Sequence, residues 1–367
     1  MQFFQISTGL GAGNLGDEMM ARAFWQHLPK DWNGEVEVFP MAEHYRGGYP
    51  QQHRYTSVHD KRYLEAAKSG ITGLLACGTP VHEVEGLHFP MRFIAERLDA
   101  FRAAGTPVHA VGVGVDFLYT KQGRALFAKS FQLVQSWTVR NEACREALLD
   151  LGVAKDSIAV GADWAWLYEP ADDKREWAAN EWRSWGVDPQ RPLLAVNIVN
   201  LVWRRKAGVK EAIAEALDRA HTELGMQIAF VSNECREGSA YDYEAAREVA
   251  AKMSAPATLV PNRYWSVDEM LGLLQHARVT LGMRYHFAVM TILAGGTPVC
   301  LARSQKIKGL CSDLKIEPIP LRDVHSCAMF QQVRAAMSHR PLPNATRLLR
   351  DRAAANLSYL RTSPFVY

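Results

Sequence analysis

The stretch Val279-Thr280-Leu281-Gly282-Met283-Arg284-Tyr285-His286-Phe287-Ala288-Val289 contains the pattern that decides the fold. An apolar run, Val279–Met283, indicates a strand, Gly282 allows a turn, and Phe287–Ala294 indicates an apolar helix. The chain repeats this order of short apolar run, glycine-containing turn and amphipathic helix. The repetition predicts parallel strands joined by crossover helices. We therefore expect ligands at the carboxyl ends of the strands, where Arg284 and His286 fall.

The 367-residue chain is too long for one ordinary core. A composition shift at Glu169–Arg191, rich in proline and charged residues, separates two segments that share the strand and helix pattern. We predict an α/β protein with two Rossmann-like, doubly wound domains that face each other across a cleft. The predicted divisions are an N-terminal domain at 1–170, a linker at 171–191, a C-terminal domain at 192–342, and a final helix within 343–367 that can cross back onto the first domain.

Composition narrows the class of protein. Hydrophobic residues make up 48% and charged residues 22% of the chain, as in globular proteins, and the net charge of +3 gives no support for nucleic acid as a partner. Six cysteines without a C-x-x-C pair favour buried thiols in a reducing compartment over disulfides or a metal site. The N-terminus lacks the basic flank of a signal peptide, and no apolar run is long enough to span a membrane. We expect a cytoplasmic protein, with peripheral membrane contact still open.

A glycine loop follows the first predicted strand. Gly11-Ala12-Gly13-Asn14-Leu15-Gly16 matches G-x-G-x-x-G, but Asp17 and Glu18 place negative charge where a pyrophosphate would bind. The second strand ends Val38-Phe39-Pro40, without the expected ribose-binding acid, so we expect no dinucleotide cofactor. Two interpretations remain. Either Asp17 caps the helix after a tight turn, or Asp17 and the loop amides line a ligand cleft and the carboxylate binds a hydroxylated substrate.

Basic residues follow three predicted strands. Arg284 can present two N–H groups to a phosphate or carboxylate, and His286 can exchange protons near neutrality. The alternative is that His286 caps the helix and Arg284 pairs with a surface acid. Arg140 follows the strand that ends at Val139, and either binds an anion or forms a structural ion pair. Lys306 follows a further strand, where lysines are usually only solvated.

Taken in order, these segments resemble the polysaccharide pyruvyl transferase family, over about residues 9–310. No single motif is strong, but the ordered set is fairly specific. The matching segments are Gly13-Asn14-Leu15-Gly16-Asp17-Glu18, Val139-Arg140-Asn141-Glu142-Ala143-Cys144, Gly161-Ala162-Asp163-Trp164-Ala165, Gly282-Met283-Arg284-Tyr285-His286 and Gly296-Thr297-Pro298-Val299.

The resemblance implies a GT-B-like architecture and transfer of a pyruvyl group from phosphoenolpyruvate to two hydroxyls of a sugar, with a cyclic ketal and phosphate as products. No metal or other cofactor is implied. His286 and Asp17 would be catalytic, as acid/base and as the base toward the acceptor. The expected donor-binding residues are Arg284, Arg140, Lys306 and Tyr285. The expected acceptor-binding residues are Asn14, Asp163 and Trp164, with Trp166, Trp203 and Trp265 as further sugar-stacking candidates.

The sequence departs from the family pattern at Gly78-Thr79-Pro80, at Asn141, where aspartate is common, and at Arg303-Ser304-Gln305. These departures bear on the acceptor more than on the fold. Two rival interpretations therefore stay open: a GT-B glycosyltransferase with a nucleotide-sugar donor, and an inactive member that binds glycans.

Overall fold

The computed structural model describes residues 1–83, 86–199, 208–235, 241–321, 324–338 and 343–362. By its internal contacts the chain forms two compact units. The first is Met1–Glu169 together with Arg347–Tyr367, and the second is Pro170–Thr346. Each unit is built around one parallel sheet.

The first unit alternates strands with helices. Its strands are β1 (Gln2–Gln5), β2 (Asn33–Val38), β3 (Arg54–Ser57), β4 (Thr72–Ala76), β5 (Val108–Val113), β6 (Val134–Val139) and β7 (Ile158–Val160). Its helices are α1 (Leu15–His27), α2 (Tyr63–Lys68), α3 (Phe93–Ala103), α4 (Lys121–Ser130) and α5 (Glu142–Asp150).

The second unit repeats this organisation. Its helices are α6 (Arg175–Ser184), α7 (Val209–Leu224), α8 (Tyr241–Ala250), α9 (Val267–Leu274), α10 (Tyr285–Leu293), α11 (Gln305–Leu314) and α12 (Ser326–Ser338), and α13 (Pro343–Thr362) follows. Its strands are β8 (Leu193–Asn197), β9 (Gln227–Phe230), β10 (Ala257–Leu259), β11 (Val279–Gly282), β12 (Thr297–Ala302) and β13 (Ile319–Pro320).

In both sheets, the order in which the chain adds strands reverses at an internal point, although all the strands are parallel. The strand order is β3-β2-β1-β4-β5-β6-β7 in the first unit and β10-β9-β8-β11-β12-β13 in the second. The chain therefore moves outward in opposite directions from β1 and β4, and likewise from β8 and β11. Such a switch point leaves a crevice outside the carboxyl ends of the two strands, and ligands of open α/β sheets bind there.

The central strands of both sheets are apolar and are buried between layers of helices. All six residues of β5 and all five of β8 are buried, as expected for parallel strands between helical layers. In the first unit the core includes Phe101, Phe127 and Trp137. In the second unit, a Cβ atom on Gly282 would lie 2.7 Å from Cδ1 of Phe287, so glycine lets the first turn of α10 pack against β11.

Several short elements differ from the sequence prediction. The segment Ala42–Lys61 is polar and rich in His, Tyr, Arg and Gly, which predicts a long surface loop. It instead contains β3, which pairs with β2, and two short 3₁₀ helices. The short outer strands β10 and β13 were also missed. Strands of two to four residues show too little alternation to be recognised, because only packing at the sheet edge fixes them.

The segment 171–191, expected as a linker, groups with the second unit. The spacing of Trp177, Trp182 and Trp185 predicts a short amphipathic helix in this segment, and α6 is that helix. Trp182 is fully buried and its indole N–H donates to the carbonyl oxygen of Leu273, 3.1 Å away. This packing holds the segment against α9.

Two side chains of α13 hold the helix within the first unit, to which Arg347–Tyr367 belongs. The Nε of Arg352 donates to the carbonyl oxygen of Gly161 at 3.1 Å, and Nδ2 of the buried Asn356 donates to that of Ala162 at 2.8 Å. A Cβ atom on Gly161 would collide with Asn356, so this contact requires glycine.

Among the described residues, no helix combines the length and apolar character needed to cross a membrane.

Candidate functional site

Arg284 lies at the switch point of the second sheet. It lies two residues after Gly282, the last residue of β11, and β11 pairs with β8, which ends at Asn197. Arg284 is also the residue before the first turn of α10, so it lies at the strand-to-helix junction. Two features that favour an anion, a cationic side chain and a helix N-terminus, therefore meet at this strand end.

Two carboxylates hold the guanidinium of Arg284. Its Nε lies 2.8 Å from Oδ2 of Asp242, and its Nη2 lies 2.6 Å from Oδ1 of Asp242 and 2.5 Å from Oε2 of Glu234. Nη1 makes no hydrogen bond with any residue that the structure describes. Burial alone would lower the pKa of Arg284, but the attraction of Asp242 and Glu234 outweighs it and raises the pKa, so the side chain stays charged.

Asp242 joins four segments of the second unit. Besides Arg284, its Oδ2 accepts hydrogen bonds from Nδ2 of Asn197 at 3.0 Å and from the backbone N–H groups of Asn233 and Glu234, both at 3.1 Å. It is 1% exposed, whereas Glu234 is 11% exposed. A buried carboxylate with this many donors is a fixed partner, so Asp242 holds the arginine in one orientation.

His286 and Tyr285 are the first residues of α10. Their rings are 5.0 Å apart between centroids at 77°, and both side chains are partly buried. The interpretation of His286 as a helix cap is wrong, because Arg284 is the N-cap residue and makes no side-chain cap hydrogen bond. The N–H groups of the first helical turn have no intrahelical partner, so this end of α10 favours an anion.

Lys306 lies in the first turn of α11, a helix that the sequence did not predict. This helix follows β12, the neighbour of β11, so its first turn belongs to the same edge of the sheet. Lys306 is partly buried. The departure Arg303-Ser304-Gln305 is thus the strand-to-helix junction, where Ser304 is the N-cap residue without a side-chain cap bond.

In the first unit, Arg140 is buried in a structural ion pair. It is 4% exposed, and its Nε lies 2.9 Å from Oδ2 of Asp163, which is fully buried. Its Nη2 donates to the carbonyl oxygen of Gly78 at 2.5 Å and lies 2.9 Å from the sulfur of Met20. Arg140 therefore joins the ends of β4, β6 and β7 to α1. Of its two sequence interpretations, this geometry favours the ion pair over binding of the donor.

Asp163 and Asn14 use their side chains as helix caps. Oδ1 of Asp163 accepts from the N–H of Ala165 at 2.9 Å, and Oδ1 of Asn14 accepts from the N–H of Gly16 at 3.0 Å. The cap of α1 is thus Asn14 rather than Asp17. Asn141, where the family commonly has aspartate, caps α5 by accepting from the N–H of Cys144 at 3.0 Å. Asparagine and aspartate are equivalent in that role, which explains the departure.

Asp17 lies in the first turn of α1, partly exposed, and its Oδ2 would be 2.7 Å from a Cβ atom on Gly9. The helix α1 follows β1, which is the neighbour of β4 in the sheet. Burial, together with the negative charges of Asp163 and Asp17, raises the pKa of Cys77, the residue after β4, well above the usual range of a thiol. Cys77 adopts φ 73°, a left-handed conformation that is strained for a residue with a side chain. The switch point of the first sheet therefore collects Asp17 and the strained end of β4.

Glu18 holds the glycine loop in place. Its Oε1 accepts from the N–H of Gly11 at 2.8 Å, and its Oε2 accepts from the hydroxyl of Tyr49 at 2.7 Å. Burial raises the pKa of Glu18 to about 7, against smaller opposing effects of Tyr49, Gly11 and Arg22. The Gly11 amide, which a dinucleotide pyrophosphate would need, is thus engaged by a carboxyl group.

Among the described residues, no group of three or more acidic, histidine or cysteine side chains is arranged to hold a metal ion.

The tryptophans expected to stack on a sugar are core residues. Trp164, Trp166 and Trp265 are all 0% exposed, and the indole N–H of Trp164 donates to the carbonyl oxygen of Val111 at 2.9 Å. No ring face is left for a ligand, so we remove Trp164 from the acceptor-binding set. Trp203 lies outside the described residues.

Sequence reasoning missed Asp242, Glu234 and Asn197. Asn197 ends β8, Glu234 follows β9, and Asp242 begins the next helix. A signal was available for Asn197 and Glu234, because a polar residue at or shortly after the end of a buried strand is the pattern that singled out Arg284. Asp242 carries no such signal, since its role depends on the fold bringing α8 to β11.

Comparison with solved structures identifies the fold. A UDP-GlcNAc 2-epimerase from Methanocaldococcus jannaschii has a TM-score of 0.65 at 11% identity, with 98% of both chains covered. A putative UDP-N-acetylglucosamine 2-epimerase from Listeria monocytogenes has a TM-score of 0.64 at 8% identity, with 99% of this chain and 96% of that chain covered. At such identities the likeness shows the fold alone, and it confirms the GT-B-like, two-domain α/β architecture.

The family model for polysaccharide pyruvyl transferase matches residues 14–305, well over half of the chain. The chain belongs to this family, and the sequence resemblance is confirmed. No curated protein sequence matches the chain significantly.

The raised pKa of Glu18 predicts a pH-dependent stability. Because the folded-state pKa of about 7 exceeds the ordinary value of 4.5, the stabilisation is complete below pH 4.5 and is lost as pH rises through 7. In the unaltered protein, Glu18 should make the free energy of unfolding fall by about 3 kcal/mol between pH 4.5 and 7.5. We expect this fall to be absent in Glu18→Gln. Urea unfolding across this range measures it. The exposed Glu43→Gln is the control, and an unchanged pH dependence in Glu18→Gln would contradict the assignment.

The role of Arg140 can be tested by a mutational cycle. Arg140→Met leaves the buried Asp163 carboxylate unpaired, so we expect it to lower the free energy of unfolding by about 3–5 kcal/mol. Adding Asp163→Asn should recover part of that loss, because the amide is neutral and can still cap Ala165. Arg145→Met, which removes a surface pair with Glu142, should cost less than about 1 kcal/mol. A stable Arg140→Met variant that loses donor binding would restore the donor-binding role.

Proposed function

We propose that the protein transfers the pyruvyl group of phosphoenolpyruvate to two hydroxyls of a sugar in a glycan or glycolipid precursor. The products are a cyclic pyruvate ketal and inorganic phosphate. Family membership supports transfer of a pyruvyl group. The observation that carries the choice of donor is Arg284, a guanidinium fixed at the switch point of the second sheet, beside the N-terminus of α10 and two residues before His286.

The chemical groups of phosphoenolpyruvate match the groups that lie at the end of β11. Phosphoenolpyruvate carries a phosphate and a carboxylate, which arginine N–H groups and the free amides of a helix N-terminus bind well. Nη1 of Arg284 is the nitrogen that is not engaged by Asp242 or Glu234 among the described residues. We assign Arg284, with Lys306 and Tyr285 beside it at the same sheet edge, to the donor. Arg140 is left out of this set because its side chain is taken up by Asp163 and backbone carbonyl groups.

His286 is our candidate for the acid that starts the reaction. In the proposed first step, its imidazolium donates a proton to the terminal methylene carbon of phosphoenolpyruvate, and the neighbouring carbon becomes cationic. The oxygen of the first sugar hydroxyl bonds to that carbon and loses its proton to a base. The second hydroxyl oxygen then bonds to the same carbon and gives its proton to the imidazole of His286, while the carbon–oxygen bond to phosphate breaks and inorganic phosphate leaves. Asp17 is our candidate for the base toward the acceptor, because it is a partly exposed carboxylate at its strand edge.

Donor binding is the first test. Phosphoenolpyruvate at a hundred times its dissociation constant should stabilise the protein by about 2.7 kcal/mol, visible as a rise in melting temperature. Arg284→Lys should lose most of this rise, because lysine keeps the charge but not the planar pair of donors. Inorganic phosphate, nucleoside diphosphates and NAD are the comparison ligands. A shift with nucleotide sugars and none with millimolar phosphoenolpyruvate would favour the rival glycosyltransferase function.

Catalysis by His286 is a separate test. We expect His286→Ala to keep the phosphoenolpyruvate-induced rise in melting temperature but to lower the release of phosphate in the presence of candidate glycans by about 10²–10⁴-fold, as for loss of a general acid. Phosphate release can be followed by ³¹P NMR. Equal rates for His286→Ala and the unaltered protein would remove the histidine from the mechanism.

A further inference from the structure

The side chains that surround Arg284 carry more negative charge than an anionic donor would favour. Arg284 contributes one positive charge, whereas Asp242 and Glu234 contribute two negative charges within hydrogen-bond distance of it. The cluster is therefore net negative when both acids are ionised. An anionic ligand that approached this cluster unchanged would be repelled, and arginine already has a carboxylate on Nη2.

The two acids are held very differently. Asp242 is 1% exposed and accepts from Arg284, Asn197 and two backbone N–H groups, so moving it would break the junction of β8, β9 and α8. Glu234 is 11% exposed and reaches Nη2 from the segment after β9 with a side chain one methylene longer. A rotation of the Glu234 side chain releases Nη2, whereas release of Asp242 would leave the buried donors of Asn197, Asn233 and Glu234 unpaired.

We propose that Glu234 occupies the donor's anion position on Arg284 in the unliganded protein and is exchanged for an anionic group of the donor, while Asp242 keeps the guanidinium oriented. This inference rests on the proposed function. Binding then replaces one carboxylate at Nη2 by another oxyanion, and Nη1 and the N-terminus of α10 add contacts that Glu234 does not make. The same carboxylate competes with phosphate after transfer and favours its release. Glu234 is thus a positioning residue that sets the affinity for the donor and for the product.

Glu234→Gln separates the charge from the shape. The amide oxygen still accepts a hydrogen bond from Nη2, but the competing negative charge is gone. We expect phosphoenolpyruvate and inorganic phosphate each to bind about tenfold more tightly, which corresponds to about 1.4 kcal/mol. Glu223→Gln is the matched control, because Glu223 also pairs with an arginine, Arg219, but on the surface of α7. Its affinities should equal those of the unaltered protein. Isothermal titration calorimetry on the full chain measures all three.

Asp242→Asn should act in the opposite direction, since it weakens the partner that orients Arg284, and it should weaken binding of both ligands. Binding of phosphoenolpyruvate by Glu234→Gln that is equal to or weaker than that of the unaltered protein would overturn the exchange and leave the proposed function standing. If neither protein binds phosphoenolpyruvate or phosphate, the proposed function itself fails. Tighter binding in Glu234→Gln with an unchanged Glu223→Gln supports the exchange.

Discussion

Parallel strand pairing constrains where the chemistry of this protein can lie. Because every strand named here runs parallel to its neighbours, the carboxyl ends of all strands in a unit lie at one edge of its sheet. The polar residues that follow those strands are therefore brought together whatever their separation in sequence. Arg284 and Glu234 are 50 residues apart and form an ion pair for this reason. The same constraint joins Arg140 to Asp163 in the first unit.

Arg140 and Arg284 show that similar sequence patterns can lead to different surroundings. Each follows a strand and precedes a helix, and each meets an almost fully buried aspartate. Arg140 also donates to the backbone carbonyl oxygens of Gly78 and Gly112, so it holds strand ends together. Arg284 is paired with two carboxylates and lies directly before the first turn of α10. The partners that the fold brings to each side chain, and not the local sequence, distinguish the two arginines.

The sequence was sufficient for the parts of the fold that repeat. Apolar runs, glycine turns and amphipathic helices identified the long strands and the junction at Gly282, because those signals are local. It was insufficient where packing decides, and the tryptophans are the clearest case. Trp164 lies within one of the segments that match the family, yet it is fully buried, since burial depends on which elements cover it. Asn14 rather than Asp17 caps α1 because backbone geometry, not residue type alone, selects the capping side chain. Asp242 could not be found, because its partners come from three distant segments.

The central claim is that Arg284 and the N-terminus of α10 bind the anionic end of phosphoenolpyruvate. An experimental structure with phosphoenolpyruvate bound tests it most directly. We expect a phosphate or carboxylate oxygen about 2.7–2.9 Å from a guanidinium nitrogen of Arg284, with Asp242 still paired to Nε and Glu234 turned away from Nη2. Phosphoenolpyruvate bound elsewhere, with the Arg284–Glu234 pair intact, would contradict it.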